Sequence, residues 1–410
     1  MSNGFKKFML LWSGELVSSV GGGLTSFGLT VYVFSKTGSA ASTALIAFLA
    51  FLPNLLLGIP AGVLADRGDR RLLMMLGDGL SALGLIYILV CMLTGGAELW
   101  QICLGVAVSS VFSSLIDPAY KATVTDLLTQ EEYTKASGLV SLAGSARYLV
   151  SPFLAGLLLA VSDIKLLLII DICTFFVTVV TTAVVRRGLG SKPIKKSSSF
   201  ADELKEGWRA VSRNRGLKAL MCAVPAMSLA MGAVQILSEP MILDFADSRT
   251  LGICETLCAF GMVLTSVILG AGGLKRGFLK VMCLSLCFAG ACMVSFGATE
   301  KLVVICVSGF LFFAMIPLAN SSLDYLVRTN ISNELQGRAW GVIGFISQIG
   351  YVLAYGLSGV FADKLAEICR ISVGRGSGRV IMASGVLLAI SAAVLYFTKS
   401  VRALEREIHT

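Results

Sequence analysis

The residues best suited to chemistry in this sequence are a few ionisable side chains that stand inside long apolar runs. Each run is close to the ~20 residues that one helix needs to cross the hydrocarbon core of a bilayer. A charge near the bilayer centre costs at least about 2.5–3.5 kcal/mol, so such residues are candidates for proton or substrate binding. The carboxylates are Glu15, Asp78, Asp117, Asp171, Glu239 and Asp324, and the single deep cation is Arg147.

Glu15 begins a polar stripe on the first apolar run. Ser18, Ser19 and Gly22 follow it by three, four and seven residues, which places all four on one helix face. Such a face lines an aqueous cavity or packs against a neighbouring helix. We interpret Glu15 as the leading proton carrier. The alternative is a permanent ion pair with Arg147, because a buried cation needs a partner, and Asp117 is the other candidate for that partner.

A second polar stripe follows Pro317 in a later run. Asn320, Asp324 and Arg328 lie three, seven and eleven residues after the proline and share one face. The first two are candidate substrate or proton-binding residues. Because the inner end of this run approaches water, the alternative is that Asp324 and Arg328 only cap the helix or bind lipid headgroups.

The charged stretch Gly62-Val63-Leu64-Ala65-Asp66-Arg67-Gly68-Asp69-Arg70-Arg71 separates two of these apolar runs. We expect a short membrane loop whose five charges face water, on the cytoplasmic side because it carries excess arginine. The stretch resembles the signature between transmembrane helices 2 and 3 of the major facilitator superfamily. The matching residues are Gly62, Leu64, Asp66, Arg67, Arg70 and Arg71. The second glycine stands one position early, at Gly68, and Asp69 takes its place.

The layout of almost the whole chain resembles the macrolide and siderophore exporter branch of that superfamily. The shared features include the charged stretch, Pro118, Asp171 and a helix around Trp208. The resemblance implies proton-driven export of a small amphipathic compound, with carboxylates carrying the proton. It also implies that Asp66 meets the start of helix 11, near residues 336–338, as a conformational latch. The alternative is a lipid-handling or partner-binding membrane protein on the same fold.

Composition excludes several other classes of protein. The chain has 410 residues, of which 56% are hydrophobic and 14% charged, whereas soluble domains carry about a quarter charged residues. We assign the net charge of +9 to contacts with anionic lipids rather than nucleic acid, because the basic residues cluster between apolar runs. No phosphate-binding loop for ATP and no nucleophile with a base at a recognisable spacing are present, so we expect no enzyme. A single histidine and the absence of a C-x-x-C pair predict no metal site, and we expect no cofactor.

Apolar runs occur twelve times, in two groups of six. This predicts an all-α integral membrane protein with two pseudo-symmetric six-helix bundles, residues 1–186 and 217–410. An internal repeat supports the duplication, since Pro118 and Pro317 each precede a glycine by 20 residues. The linker, residues 187–216, is predicted to hold an amphipathic helix that starts near Ser199 and lies along the inner leaflet, with Trp208 at the interface.

The distribution of basic residues predicts the orientation. Most of the 34 lysines and arginines fall on the cytoplasmic side when both termini are placed there, as expected for a multi-pass protein of the cell membrane. We expect it to act as a monomer whose partners are a small-molecule substrate, protons and membrane lipids. One connection disagrees: residues 363–379 are expected to face outward, yet they carry four basic side chains.

Overall fold

The structure is a computed structural model that describes residues 3–129, 132–186, 200–274 and 277–406. Within these ranges the chain forms sixteen α-helices and no β-strand. The first eight helices are α1 Asn3–Thr37, α2 Ala40–Arg67, α3 Arg70–Leu93, α4 Leu99–Ser113, α5 Ile116–Leu127, α6 Tyr133–Leu149, α7 Ser151–Val161 and α8 Ile164–Arg186. The next eight are α9 Phe200–Ser212, α10 Arg215–Leu243, α11 Ser248–Gly272, α12 Phe278–Gly297, α13 Leu302–Asn330, α14 Asn333–Cys369, α15 Val373–Phe397 and α16 Lys399–Arg406.

Twelve helical segments in the described ranges are long and apolar enough to cross a membrane, which confirms the predicted fold class. Two of these segments consist of two helices each, α4 with α5 and α6 with α7. Prolines stand just after both breaks. Pro118 and Pro152 lie in the first turns of α5 and α7, where a missing N–H removes no helical hydrogen bond.

The described chain divides into two units. The first comprises Met1–Gly38, Leu45–Lys195 and Asp247–Ile253, and the second comprises Ser39–Ala44, Lys196–Ala246 and Cys254–Thr410. The proposed domain boundaries at residues 186 and 217 stay a prediction.

The first unit packs around α1, α3 and α8. Leu29, Ile88 and Leu168 belong to one buried apolar cluster in this unit. Close helix contact depends on small residues. A side chain on Gly84 of α3 would place its Cβ 2.3 Å from the carbonyl oxygen of Gly105 of α4. These two helices therefore touch through their backbones, as small residues allow in membrane bundles.

The second unit contains the predicted linker helix, observed as α9, although Ser199 lies outside the described residues. Its Val211 is fully buried, and Glu206 forms an ion pair with Arg338 of α14. Gly207 packs directly on the backbone of Arg338. The helix is therefore seated on α14, while Trp208 stays exposed. Its position along a leaflet stays a prediction.

The length predicted for the connection at residues 363–379 is wrong, while its outward orientation stays a prediction. Helix α14 continues to Cys369 and α15 begins at Val373, so only three residues join them. Arg370 ends α14 in the left-handed region, with φ 53°. The charge of Asp363 indicated the end of a membrane helix. In the second unit, however, its carboxylate accepts hydrogen bonds from the Ser39 hydroxyl at 2.6 Å and the Ala40 N–H at 2.9 Å. A partnered charge does not need to end a helix.

Candidate functional site

The charged stretch between α2 and α3 contains only two non-helical residues, Gly68 and Asp69. Asp69 is the N-cap of α3, and its carboxylate accepts hydrogen bonds from the backbone N–H groups of Arg71 at 3.1 Å and Leu72 at 3.2 Å. The Arg186 guanidinium of α8 donates to it at 2.8 Å. Partial burial opposes ionisation of Asp69, but the hydrogen bonds and Arg186 outweigh it and hold its pKa below the usual value. Asp69, which stands where the family signature has its second glycine, therefore caps the start of α3.

Arg70 and Arg71 are buried, so the expectation that all five charges face water is wrong. The Arg70 guanidinium lies 2.8 Å from the Asp126 carboxylate and also donates to the Ala122 carbonyl at 3.1 Å. Arg71 approaches the other oxygen of Asp126 at 3.5 Å. One carboxylate at the end of α5 is thus the counter-charge that two buried arginines share.

The remaining motif residues are more open. Arg67 is exposed, and a Cβ added to Gly62 would meet nothing within 4 Å in the described chain. The side chain of Asp66 lies outside the described part of the structure. Its latch role stays a prediction.

Three carboxylates of the first unit stand on α1, α3 and α8, and both α1 and α3 pack against α8. Glu15 is half-buried, whereas Asp78 and Asp171 are only 3% and 1% exposed. The charges that act on the Asp78 carboxyl are those of Glu15 and Asp171. The Thr178 hydroxyl of α8 lies on the side of Asp78. The first unit therefore holds an acidic cluster, defined here as Glu15, Asp78 and Asp171.

The position of Asp171 depends on a glycine of α1. A Cβ on Gly21 would lie 2.7 Å from Asp171 Oδ1 and 2.5 Å from Thr174 Oγ1, so only glycine admits this carboxyl group. The Thr174 hydroxyl donates to the Asp171 carbonyl oxygen at 2.7 Å and lies 3.3 Å from Asp171 Oδ1. Thr25 of α1 faces the same carboxyl, but its buried hydroxyl lacks a hydrogen bond of good geometry.

The surroundings of Asp117 and Arg147 differ from those predicted. Asp117 is largely exposed and forms an ion pair with Lys121 at 2.7 Å, one turn further along α5. Arg147 is exposed near the end of α6 and lies beyond 4.0 Å from every described carboxylate. The expected ion pair of Arg147 with Glu15 or Asp117 is therefore not formed within this part of the chain. Its positive charge still acts on Glu15 and Asp171.

In the second unit, the predicted residues lie apart along α10 and α13. Asp324 forms an ion pair with Arg328 at 2.7 Å, Asn320 is exposed, and Glu239 is half-buried near the end of α10. The structure does not join these three into one described hydrogen-bonded group.

Several polar residues of the second unit were missed. Glu255 stands half-buried in α11, and the same signal, a charge inside an apolar run, would have identified it. The Tyr355 hydroxyl of α14 donates to the Gln235 amide oxygen of α10 at 2.7 Å. The amide oxygen of Gln348 is buried without a hydrogen-bond partner in the described chain. Uncharged polar residues leave no comparable mark in a hydropathy pattern.

A family model described as Major Facilitator Superfamily matches residues 11–355. The chain belongs to the major facilitator superfamily. Macrolide efflux protein A of Streptococcus pyogenes is 25% identical over 410 residues, covering 97% of each chain. The multidrug efflux pump Tap of Mycolicibacterium fortuitum is 23% identical over 369 residues, covering 87% of this chain and 89% of Tap.

Solved structures of the superfamily show the same fold. A bacterial homologue of the human lysosomal transporter Spinster aligns with a TM-score of 0.77, at 14% identity and 99% coverage of both chains. The nucleoside transporter NupG aligns with a TM-score of 0.76, at 13% identity, covering 96% of this chain and 100% of NupG. Membership of the superfamily, together with the twelve apolar helical segments, makes the protein a multi-pass membrane transporter of small molecules and not an enzyme.

Proposed function

We propose that this superfamily member exports a small amphipathic compound in exchange for protons. The observation that supports the proposal is the acidic cluster of Glu15, Asp78 and Asp171, in which two carboxyls are almost fully buried on facing helices. Buried intramembrane carboxylates typically mark proton or ion pathways. The efflux names of the relatives support the direction of transport.

In this proposal, protonation of the cluster removes buried negative charge. Loss of that charge changes the relative free energies of the conformations, and a cationic or polar substrate competes for the same carboxylates. Glu15 is the leading exchange site because it is the least buried of the three and lies on the polar stripe of α1. Asp117 is a weaker candidate than its place in an apolar run indicated, since its exposed carboxylate already pairs with Lys121.

Proton coupling is tested in inverted vesicles energised by a proton gradient. Addition of an exported macrolide should make the acidic lumen more alkaline, because protons leave it as the macrolide enters, and collapse of the gradient should stop accumulation. Transport that continues unchanged after collapse would refute the coupling. Movement of labelled phospholipid without accumulation of any soluble compound would favour the lipid-handling alternative.

Glu15→Gln separates a proton carrier from a structural anchor. A carrier predicts that the variant inserts and binds substrate but loses pH-driven transport. A structural anchor predicts instead that the variant has a lower melting temperature than the wild type. Asp163→Asn is the control, because Asp163 is an exposed carboxylate that pairs with Lys165 at 3.2 Å near the start of α8. Unaltered transport and pH profile in Glu15→Gln would defeat both roles.

We propose further that Asp66 of the charged stretch is a conformational latch rather than a substrate ligand. Asp66→Asn should abolish transport while substrate binding persists, and combined loss of both would contradict the latch. The proposed location is the cell membrane, with both termini cytoplasmic and the protein monomeric. Labelling of single cysteines placed at either terminus in intact and in permeabilised cells tests the orientation.

A further inference from the structure

A basic cavity opens in the second unit beside the linker helix α9. Its volume is about 860 Å³, and its walls come from α9, the start of α10, the turn between α13 and α14, and α16. The charged lining residues are Glu206, Arg209, Arg213, Arg215 and Arg338. We call this site, defined by those five residues, the arginine cavity.

The charges of the arginine cavity are unbalanced. Glu206 forms an ion pair with Arg338, which uses the one carboxylate among the lining residues. Arg209, Arg213 and Arg215 are exposed and form no ion pair with a described carboxylate. Guanidinium groups of like charge around one concave surface raise its positive potential and attract an anion.

Backbone donors add to this potential. Helix α14 begins at the cavity with Ser332 as its N-cap, and the Ser332 side chain makes no capping hydrogen bond. The N–H groups in the first turn of a helix favour a bound anion when no side chain satisfies them. The start of α10 differs, because the Asn214 amide oxygen already accepts from Gly216 N–H at 2.8 Å.

We propose that the arginine cavity binds a phosphate-bearing anion, either a phospholipid headgroup or a soluble phosphate ester. The guanidinium fork matches phosphate oxygens in two-point contacts, and the volume lies within the range of small-ligand sites. An anion shared by Arg213, the residue after α9, and Arg338 of α14 would add a bridge to the existing Glu206–Arg338 contact. The site is separate from the acidic cluster, and occupancy would fasten the linker helix to α14.

Binding is measured on the full-length protein. In neutral detergent, inorganic pyrophosphate should raise the melting temperature in a saturable way if the ligand is a soluble phosphate. In nanodiscs, the corresponding comparison is phosphatidylcholine alone against phosphatidylcholine mixed with phosphatidylglycerol. Pyrophosphate binding in detergent would identify a soluble phosphate as ligand, whereas stabilisation by phosphatidylglycerol alone would identify a lipid headgroup.

Arg213→Gln should weaken the binding of whichever ligand stabilises the protein about tenfold, since it removes a charge-assisted hydrogen bond. Arg215→Gln provides a second variant in case the first does not fold, as judged by gel filtration. Lys280→Gln is the matched control, an exposed cation of α12 in the same unit but outside the cavity. Absence of stabilisation by both ligands, or an equal loss in Lys280→Gln, would overturn the proposal.

Discussion

Arg70 of α3 and Asp126 of α5 form a 2.8 Å ion pair in which the arginine side chain is 10% exposed and the carboxylate 36%. Asp126 also faces the buried Arg71 at 3.5 Å. Asp126→Ala should therefore destabilise the protein by about 3–5 kcal/mol, because it leaves buried cations without a counter-charge. Thermal unfolding in detergent, followed by tryptophan fluorescence, measures the effect.

The control for this change is Glu300→Ala, which removes an exposed carboxylate whose partner Arg375 is also exposed. Exposed ion pairs contribute only about 0–1 kcal/mol, so this variant should unfold close to the wild-type temperature. Similar melting temperatures for Asp126→Ala and Glu300→Ala would contradict a structural role for the arginine pair.

Gly21 and Gly22 of α1 provide a matched test of the acidic cluster. An alanine at Gly21 would clash with Asp171 and Thr174, whereas a Cβ at Gly22 meets nothing within 4 Å. Gly21→Ala should displace the Asp171 carboxyl and lower transport at least about tenfold, while Gly22→Ala should retain it. Vesicle transport normalised to the amount of inserted protein is the measurement. Equal activity of the two variants would show that the α1–α8 contact is not needed for transport.

Asp69 should make stability depend on pH in the acidic range. Its hydrogen bonds and Arg186 lower its pKa, so the native state holds the ionised form more firmly than the unfolded state. The stabilisation is present above the unfolded pKa of about 3.9 and is lost as pH falls through the lower native value. Melting temperatures measured across this window should fall more steeply for the wild type than for Asp69→Asn.

Substitution of Asp69 also separates the cap from the ion pair. Asparagine is as good an N-cap as aspartate, whereas alanine costs about 1 kcal/mol at such a position. Asp69→Asn should therefore lose only the contact with Arg186, and Asp69→Ala should unfold at a lower temperature still. If both variants have the same melting temperature, the side-chain cap does not stabilise α3.

Asp363 is predicted to stabilise the start of α2, whose first residues belong to the second unit. It accepts from the Ser39 hydroxyl and from the N–H groups of Ala40 and Ala41, the last at 3.0 Å. Hydrogen bonds to a charged group contribute about 1.5–3 kcal/mol, so Asp363→Ala should lower the melting temperature clearly. Asp363→Asn keeps one acceptor and should lie between alanine and wild type. Faster hydrogen exchange at Ala40 and Ala41 in Asp363→Ala would locate the effect.

The sequence by itself determined the class and the number of membrane segments. A bilayer demands about 20 apolar residues per helix, and this requirement acts locally along the chain, so twelve runs predict twelve spans. The charged stretch from Gly62 to Arg71 likewise indicated the superfamily, because its residue types and spacing are contiguous. The same local signal misplaced the connection near Asp363, where a distant partner satisfies the charge.

Only the tertiary structure decided which charged residues meet. Asp117 and Asp78 look alike in a hydropathy pattern, yet packing leaves the first in an exposed pair with Lys121 and buries the second against α8. Asp126 is the partner of Arg70 and Arg71 because the start of α3 packs against the end of α5. Helix rotation and neighbour choice depend on side chains distant in sequence, and one residue's chemistry does not specify them.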